Sequence, residues 1–145
     1  MSSWISATKE ELLSLHKVNK KIVNCKLCPC LTKYIEEVGK CETKKFMDQV
    51  YWAKPVPTFG DPEAKLLVIG LAPAAHGGNR TGRIFIGDSS GDWLVRALYE
   101  TGFANKPSSI ASNDGLILRD AYLTAAVKCA PPSNEPNSDE ISNIC

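Results

Sequence analysis

The clearest periodicity lies near the start of the chain. Leu12, Leu15, Val18 and Ile22 recur at three- and four-residue steps, which makes one apolar stripe of an amphipathic helix. Thr8 followed by Glu11 is a capping box, so the helix is predicted to begin there. Lys9, Lys17, Lys20 and Lys21 fall largely off the stripe, on a face that is either simply solvated or turned toward phosphates. His16 sits beside the stripe as a boundary residue and is given no role. Two short runs, residues 65–70 and 121–127, are apolar and bounded by turn signals, Pro62 and a glycine-rich loop for the first and Cys129 and Pro131 for the second. Neither alternates, so both are predicted as strands of a parallel sheet covered on both faces. Between them residues 92–102 read as a helix. Ser89, Ser90 or Asp92 can cap it, Trp93, Leu94, Ala97 and Leu98 form its stripe, and Gly102 ends it. Strand, loop, helix, strand is a βαβ unit. In open α/β sheets ligands bind outside the carboxyl ends of strands, so the loop after Gly70 is expected to carry the chemistry.

Composition narrows the class. The 145 residues suit one domain, 1–145. A hydrophobic share of 43% and a charged share of 23% exclude a disordered chain, a fibrous repeat and a disulfide scaffold. The net charge of +1 steers the whole molecule toward no partner. Its distribution is uneven: residues 9–45 hold nine Lys against five acids, and the remainder holds eight basic against eleven acidic groups. No internal repeat is visible, and the one biased stretch is a Pro/Asn/Ser-rich loop at 131–138. The longest nearly apolar run, 66–75, is too short for the roughly 20 residues of a membrane helix. The first residues lack a basic segment followed by an apolar one. A cytoplasmic protein is therefore expected, acting as a monomer and without a membrane partner. Disulfides are uncommon in that compartment, so six Cys need another account.

Four of the six form a pattern. Cys25 and Cys28 are two residues apart, and Cys129 and Cys145 have fifteen residues between them. A two-residue gap lets both thiolates face one centre, as in zinc and iron–sulfur sites. Such a centre would close the two ends of the chain together. Spacing alone does not separate zinc from a [4Fe–4S] cluster, nor either from a redox pair or a coincidence. Cys30 and Cys41 are left over.

The loop that follows the first strand, residues 70–88, contains five Gly, two Arg, one His and one Phe. Glycine-rich backbone approaches a ligand closely, and its N–H groups can hold an anion or a developing oxyanion. No Walker sequence and no dinucleotide fingerprint is present. Phe85 is either an ordinary core aromatic or a flat face for a planar ligand. Arg80 and Arg83 either fix the loop or contact an anion.

These motifs carry a resemblance. Gly70-Leu-Ala-Pro-Ala-Ala-His-Gly-Gly-Asn-Arg-Thr-Gly-Arg83, then Phe85 and Gly87-Asp88, and Lys128-Cys-Ala-Pro-Pro-Ser-Asn134 resemble the family 5 (type B) uracil-DNA glycosylases, which are iron–sulfur enzymes. The likeness runs from about Cys25 to Cys145. It implies an α/β, three-layer fold with a central mostly parallel sheet flanked by helices. It also implies a structural [4Fe–4S] cluster on Cys25, Cys28, Cys129 and Cys145. The implied activity is base-excision repair: hydrolysis of the N-glycosidic bond of uracil, and of other deaminated bases in related members, after the nucleotide is flipped out of DNA. Phe85 would stack on the base, and Leu71, Ala72, Ala74 and His76 would line the pocket. Most uracil-DNA glycosylases place Asp or Asn where this chain has Ala72. A methyl group cannot orient water, which implies a largely dissociative reaction. Asn79 is the candidate polar group of the first motif. Asn134 is the candidate base contact, with a plain turn residue as the other reading. Ala125 stands where the sister iron–sulfur family reads uracil with Asn.

One departure bears on activity. The family carries a later His-Pro-Ser motif that donates to uracil O2, whereas this sequence holds only His16 and His76 and ends at Cys145. The final strands are expected to be missing, as in a fragment or split gene product, and the isolated chain is expected to be poorly active and to retain its cluster weakly. Two other readings compete with the enzyme: an inactive, metal-stapled DNA-binding fragment, and a zinc-stabilised structural domain.

Overall fold

The computed structural model describes residues 8–40 and 44–142. Helix α1 spans Lys9–Val23, and Thr8 caps it as the capping box requires: its hydroxyl accepts from the Glu11 N–H while the Glu11 carboxylate accepts from the Thr8 N–H. Its apolar stripe is covered only at its end. Ile22 is buried, while Leu12 and Val18 remain exposed. Helix α2 spans Pro29–Lys40. The sequence reading passed over it, although Leu31, Tyr34, Ile35 and Val38 have helical spacing. Leu31 and Ile35 are wholly buried.

Strand β1 is Phe59–Gly60, β2 is Leu66–Gly70 and β3 is Ala121–Ala125. Their order is β1-β3-β2. β2 pairs with β3 in parallel, Leu66 beside Ala121 and Gly70 beside Ala125, and β1 pairs with β3 antiparallel. Between β2 and β3 lie the short helix α3, Gly78–Thr81, and helix α4, Ser89–Glu100. The predicted βαβ unit is thus present. α4 begins three residues before the expected start because Asp88, rather than a residue of the following turn, accepts from the Gly91 N–H at 2.7 Å. A 3-10 turn, Pro132–Asn134, and helix α5, Ser138–Ser142, follow β3.

The expected parallel sheet covered on both faces is met in part: β2 and β3 pair in parallel, but the described sheet has three strands and is mixed, and β2 is covered on one face. On that face Ala121, Leu123 and Ala125 are buried against Val95 and Leu98 of α4. On the other face Leu67 and Ile69 stand 56% and 62% exposed. Their unbroken apolar run has the composition of an interior strand, but nothing among the described residues covers it. No described helix is long and apolar enough to cross a membrane.

The long connection from α4 to β3 is organised by Asp114. Its carboxylate accepts from the backbone N–H groups of Ile110 and Leu116 and from the Ser109 hydroxyl, and it pairs with Arg83 at 2.9 Å. Ala104 and Leu118 form a single antiparallel bridge in the same connection.

Candidate active site

The carboxyl end of β2 is the centre of the arrangement. The parallel ladder continues past both strands, since the Ala126 and Val127 N–H groups donate to the Gly70 and Leu71 carbonyls at 2.8 and 2.9 Å. The two motif-bearing segments, the turn after Gly70 and the stretch leading to Cys129, therefore run side by side. Leu71 is 55% exposed at the lip. Ala72 and Ala75 pack inward, against a cluster of Cys28, Leu31, Ile35, Val127, Cys129 and Ala130. Ala74 closes a turn, its carbonyl accepting from the Gly77 and Asn79 N–H groups.

Phe85 joins this end of the sheet from the far side of the loop. Its φ of +58° is a left-handed conformation unusual for an aromatic residue. Its ring is packed over Gly70, where a Cβ would lie 2.8 Å from the ring Cζ. Glycine at position 70 is what lets the ring lie there. Backbone held off the common basins costs about 1–3 kcal/mol, so the surrounding packing has to hold Phe85 in place.

His76 is exposed, but its ring is held on two sides. Its Nδ1 is hydrogen-bonded to the Tyr51 hydroxyl at 2.8 Å. Phe46 stacks on it with centroids 6.3 Å apart, and Tyr51 meets it edge-on. Arg80 donates to the His76 carbonyl and to Gln49 Oε1, and its guanidinium lies 4.3 Å from the centre of the Phe46 ring. Sequence reasoning missed this partner segment. The available signal was three aromatics, Phe46, Tyr51 and Trp52, set among Lys44, Lys45 and Lys54.

Arg83 fixes the loop. Its guanidinium donates to Asp114, Ser109 and the carbonyls of Ala111 and Ser112, and it stacks on Phe59 at 4.2 Å. It has no face left for an external anion. Asn79 lies in α3 with no exposed surface. Its amide donates to the Ile35 carbonyl of α2 at 3.2 Å, and its Oδ1 has no partner. Asn134 is exposed in the 3-10 turn, at a φ of +60° that Asn tolerates better than most residues.

Of the four candidate ligand cysteines, two meet in one buried cluster and Cys25 lies near enough to act on the Cys129 thiol. Cys25 follows α1, Cys28 leads into α2 and Cys129 follows β3, and Cys28 and Cys129 are buried in one cluster. Cys145 lies outside the described residues, as does Cys41, and Cys30 is exposed. Burial, followed by the negative charge of Cys25, Cys28 and Glu140, pushes the Cys129 thiol up to about 12. A buried thiol that resists ionisation beside other thiols becomes a good ligand when a cation is present to offset the charge. The donor set thus suits a thiophilic centre. Among the described residues, though, no group of three or more His, Cys, Asp or Glu side chains is disposed as a closed metal cage.

Comparison with known proteins bears on the whole arrangement. The chain is 48% identical over 123 residues to a type-5 uracil-DNA glycosylase of Pyrobaculum aerophilum, a match covering 85% of this chain and 54% of that protein. It is 53% identical over 118 residues to the type-5 uracil-DNA glycosylase of Thermus thermophilus, covering 81% and 52%. It is 47% identical over 127 residues to that of Mycobacterium leprae, covering 88% and 56%. The chain spans about half the length of these curated relatives. Residues 57–144, from just before β1 to the residue before Cys145, match the Uracil DNA glycosylase superfamily. That stretch contains the βαβ unit, the glycine-rich turn with Phe85 and the segment carrying Cys129, and the chain belongs to this superfamily.

Proposed function

We propose that this chain supplies the base-receiving half of a DNA glycosylase that hydrolyses the N-glycosidic bond of uracil in DNA. The observation that carries the reading is the junction at the end of β2, where the Gly70–Ala75 turn, Phe85 and the approach to Cys129 meet. A flipped pyrimidine would stack on Phe85, with Leu71 and Ala74 along its edge. The departing uracil carries negative charge on O2, and the sugar becomes oxocarbenium-like. Each fixed donor aimed at O2 is worth roughly 3–4 kcal/mol, by analogy with oxyanion holes. Ala72 offers a methyl group, so this turn orients no water from that position and the reaction is carried mainly by leaving-group stabilisation. His76, oriented by Tyr51, lies at the rim of this turn. Asn134, exposed on the turn beyond Cys129, would contact the base, and Asn79 ties the first motif to α2.

Cys25, Cys28 and Cys129, with Cys145, would hold a [4Fe–4S] cluster. When bound, such a cluster staples the chain ends rather than taking part in bond cleavage. The exposed Lys17, Lys20 and Lys21 of α1 supply phosphate contacts, whose contribution falls steeply with salt.

The test is single-turnover release of uracil from a duplex oligonucleotide. The enzyme is this chain joined in frame to the part of the Thermus relative outside the match, purified without oxygen. Release from uracil duplex, with none from thymine duplex, is the expected result. A folded fusion that binds DNA and releases no base would overturn the reading.

A further inference from the structure

Tyr51 and His76 stand 25 residues apart and meet at the lip of the glycine-rich turn. Tyr51 is buried, and its hydroxyl lies 2.8 Å from the His76 Nδ1. The chain just after it is laced to α3: the Trp52 N–H donates to the Arg80 carbonyl at 2.9 Å and the Ala53 N–H to the Asn79 carbonyl at 3.0 Å. The His76 ring is exposed, yet Phe46 stacks on it and Arg80 holds its carbonyl at 2.7 Å. Its main chain also passes close to the segment after Phe85. A Cβ on Gly87 would lie 3.2 Å from the His76 carbonyl oxygen, and one on Gly77 would collide with the Ile86 carbonyl. His76 and Phe85 therefore hang from two touching stretches of backbone.

Hydrogen-bond accounting places the ring proton. A phenol hydroxyl has one proton to give, and a neutral imidazole has one donor nitrogen and one acceptor nitrogen. If Nδ1 carried the proton, the Tyr51 hydroxyl would have to accept it. The hydroxyl's own proton would then have no acceptor among the described residues, where His76 is its one hydrogen-bond partner. With the hydroxyl donating to Nδ1, both groups are satisfied and the imidazole proton sits on Nε2. Nε2 makes no hydrogen bond to the described residues. An exposed ring held by Tyr51 and Phe46, with its N–H unspent, is a preset donor. We propose that Tyr51 is a positioning residue: it holds His76 as the Nε2–H imidazole, so that this N–H donates to an oxygen of the nucleotide received at the turn. The identity of that ligand rests on the glycosylase reading. Base carbonyl and backbone phosphate offer the same acceptor chemistry, and the test separates them.

The first measurement needs no DNA. With His16→Gln, at an exposed position, His76 is the sole histidine of the chain. Isotopic labelling then reads its two ring nitrogens by NMR at about pH 8, above the ordinary histidine range. Nδ1 should resonate as the unprotonated nitrogen and Nε2 as the N–H nitrogen. Tyr51→Phe keeps the ring and removes the hydroxyl, and it should draw the two resonances together as the second tautomer is populated. Unchanged nitrogens in Tyr51→Phe, or a proton on Nδ1 in the parent, would overturn the proposal. The second measurement is affinity, made in the in-frame fusion that tests the proposed function. Two duplexes are used, one holding a non-cleavable deoxyuridine analogue and one an abasic site. His76→Phe should weaken binding roughly two- to tenfold, the worth of one hydrogen bond. His76→Gln, whose amide can donate from the place of Nε2, should recover most of that loss. Tyr51→Phe should weaken binding in the parent but not in His76→Phe, because it acts through that ring. A loss confined to the deoxyuridine duplex assigns the oxygen to the base, and a loss with both duplexes assigns it to phosphate. Affinity unchanged by His76→Phe with either duplex would overturn the proposal, as would a Tyr51→Phe loss that persists without the imidazole. A fusion that meets these expectations and releases no uracil would uphold the donor and count against the glycosylase reading alone.

Discussion

Arg83 and Asp114 meet at 2.9 Å with their side chains almost wholly buried, 31 residues apart in sequence. The pair fastens the glycine-rich loop to the long connection before β3. Removing one partner leaves a buried charge without its counterion. Arg83→Met should therefore destabilise the fold by about 3–5 kcal/mol. Urea unfolding followed by circular dichroism measures it, and a loss under about 1 kcal/mol would contradict the burial of the pair.

Acid should loosen the same connection. Burial pushes the Asp114 carboxyl up, but the N–H groups of Leu116 and Ile110, the Ser109 hydroxyl and the Ala111 N–H together hold it well below the usual carboxylate range. Asp61 is also lowered, by the Asp120 and Glu63 N–H groups that donate to it. Both native values lie below the unfolded ones. Their stabilising contribution is therefore complete above the ordinary carboxylate pKa and drains away as pH falls toward the native values. The unfolding midpoint should stay level down to about pH 5 and drop below about pH 4. Asp114→Asn should lower the neutral-pH midpoint and flatten the acid limb.

Gly70 and Phe85 should behave as a coupled pair. A methyl group at position 70 would lie 2.8 Å from the Phe85 ring, and overpacking of this kind costs about 1–3 kcal/mol. Gly70→Ala should destabilise the parent by that amount. In a Phe85→Ala background, where the obstructing ring is gone, it should cost far less. Additive effects in thermal unfolding would show that the ring does not rest on Gly70. In the in-frame fusion that tests the proposed function, Phe85→Ala should weaken binding to uracil-containing DNA by about 1–3 kcal/mol, the worth of one base stack.

The cysteines should separate into two classes. Cys28→Ser and Cys129→Ser should abolish iron and acid-labile sulfide in anaerobically purified protein, whereas Cys30→Ser, altered at an exposed position, should leave both unchanged. Zinc in place of iron, at one equivalent and without sulfide, would redirect the site to a plain tetrathiolate.

Asn79 offers a test of position against chemistry. Its amide is spent on the Ile35 carbonyl inside the protein. Asn79→Ala should therefore cost about 1–3 kcal/mol of stability, the price of an unmet buried carbonyl. A variant of parental stability with reduced base release would move Asn79 into the reacting centre.

Local signals in the sequence carried far. Thr8 and Glu11 placed the start of α1, and the apolar runs placed β2 and β3 within a residue or two, because a capping box and a buried strand are written in neighbouring residues. The site's main loop was legible for the same reason. What escaped depended on distant partners. Helix α2 starts at Pro29 directly after Cys28, which is not one of the usual capping residues, so its beginning is marked only by the proline. Phe46 and Tyr51 take their meaning only from His76, 30 and 25 residues away. The sequence leaves Arg83 open to two roles, and its pairing with Asp114, 31 residues on, decides between them. The unbroken apolar run of β2 predicts a strand covered on both faces, whereas Leu67 and Ile69 stand exposed.

Trp52 gives the glycine-rich loop a native optical reporter. Its indole N–H donates to the Pro55 carbonyl at 3.2 Å, its own backbone N–H bonds to Arg80, and its ring lies against Gly82, which adopts a φ of +74°. Any rearrangement of that loop as DNA engages would change the quenching and polarity around the indole. With Trp4 and Trp93 replaced by Phe, emission from position 52 would follow loop motion in stopped flow, without any label being attached.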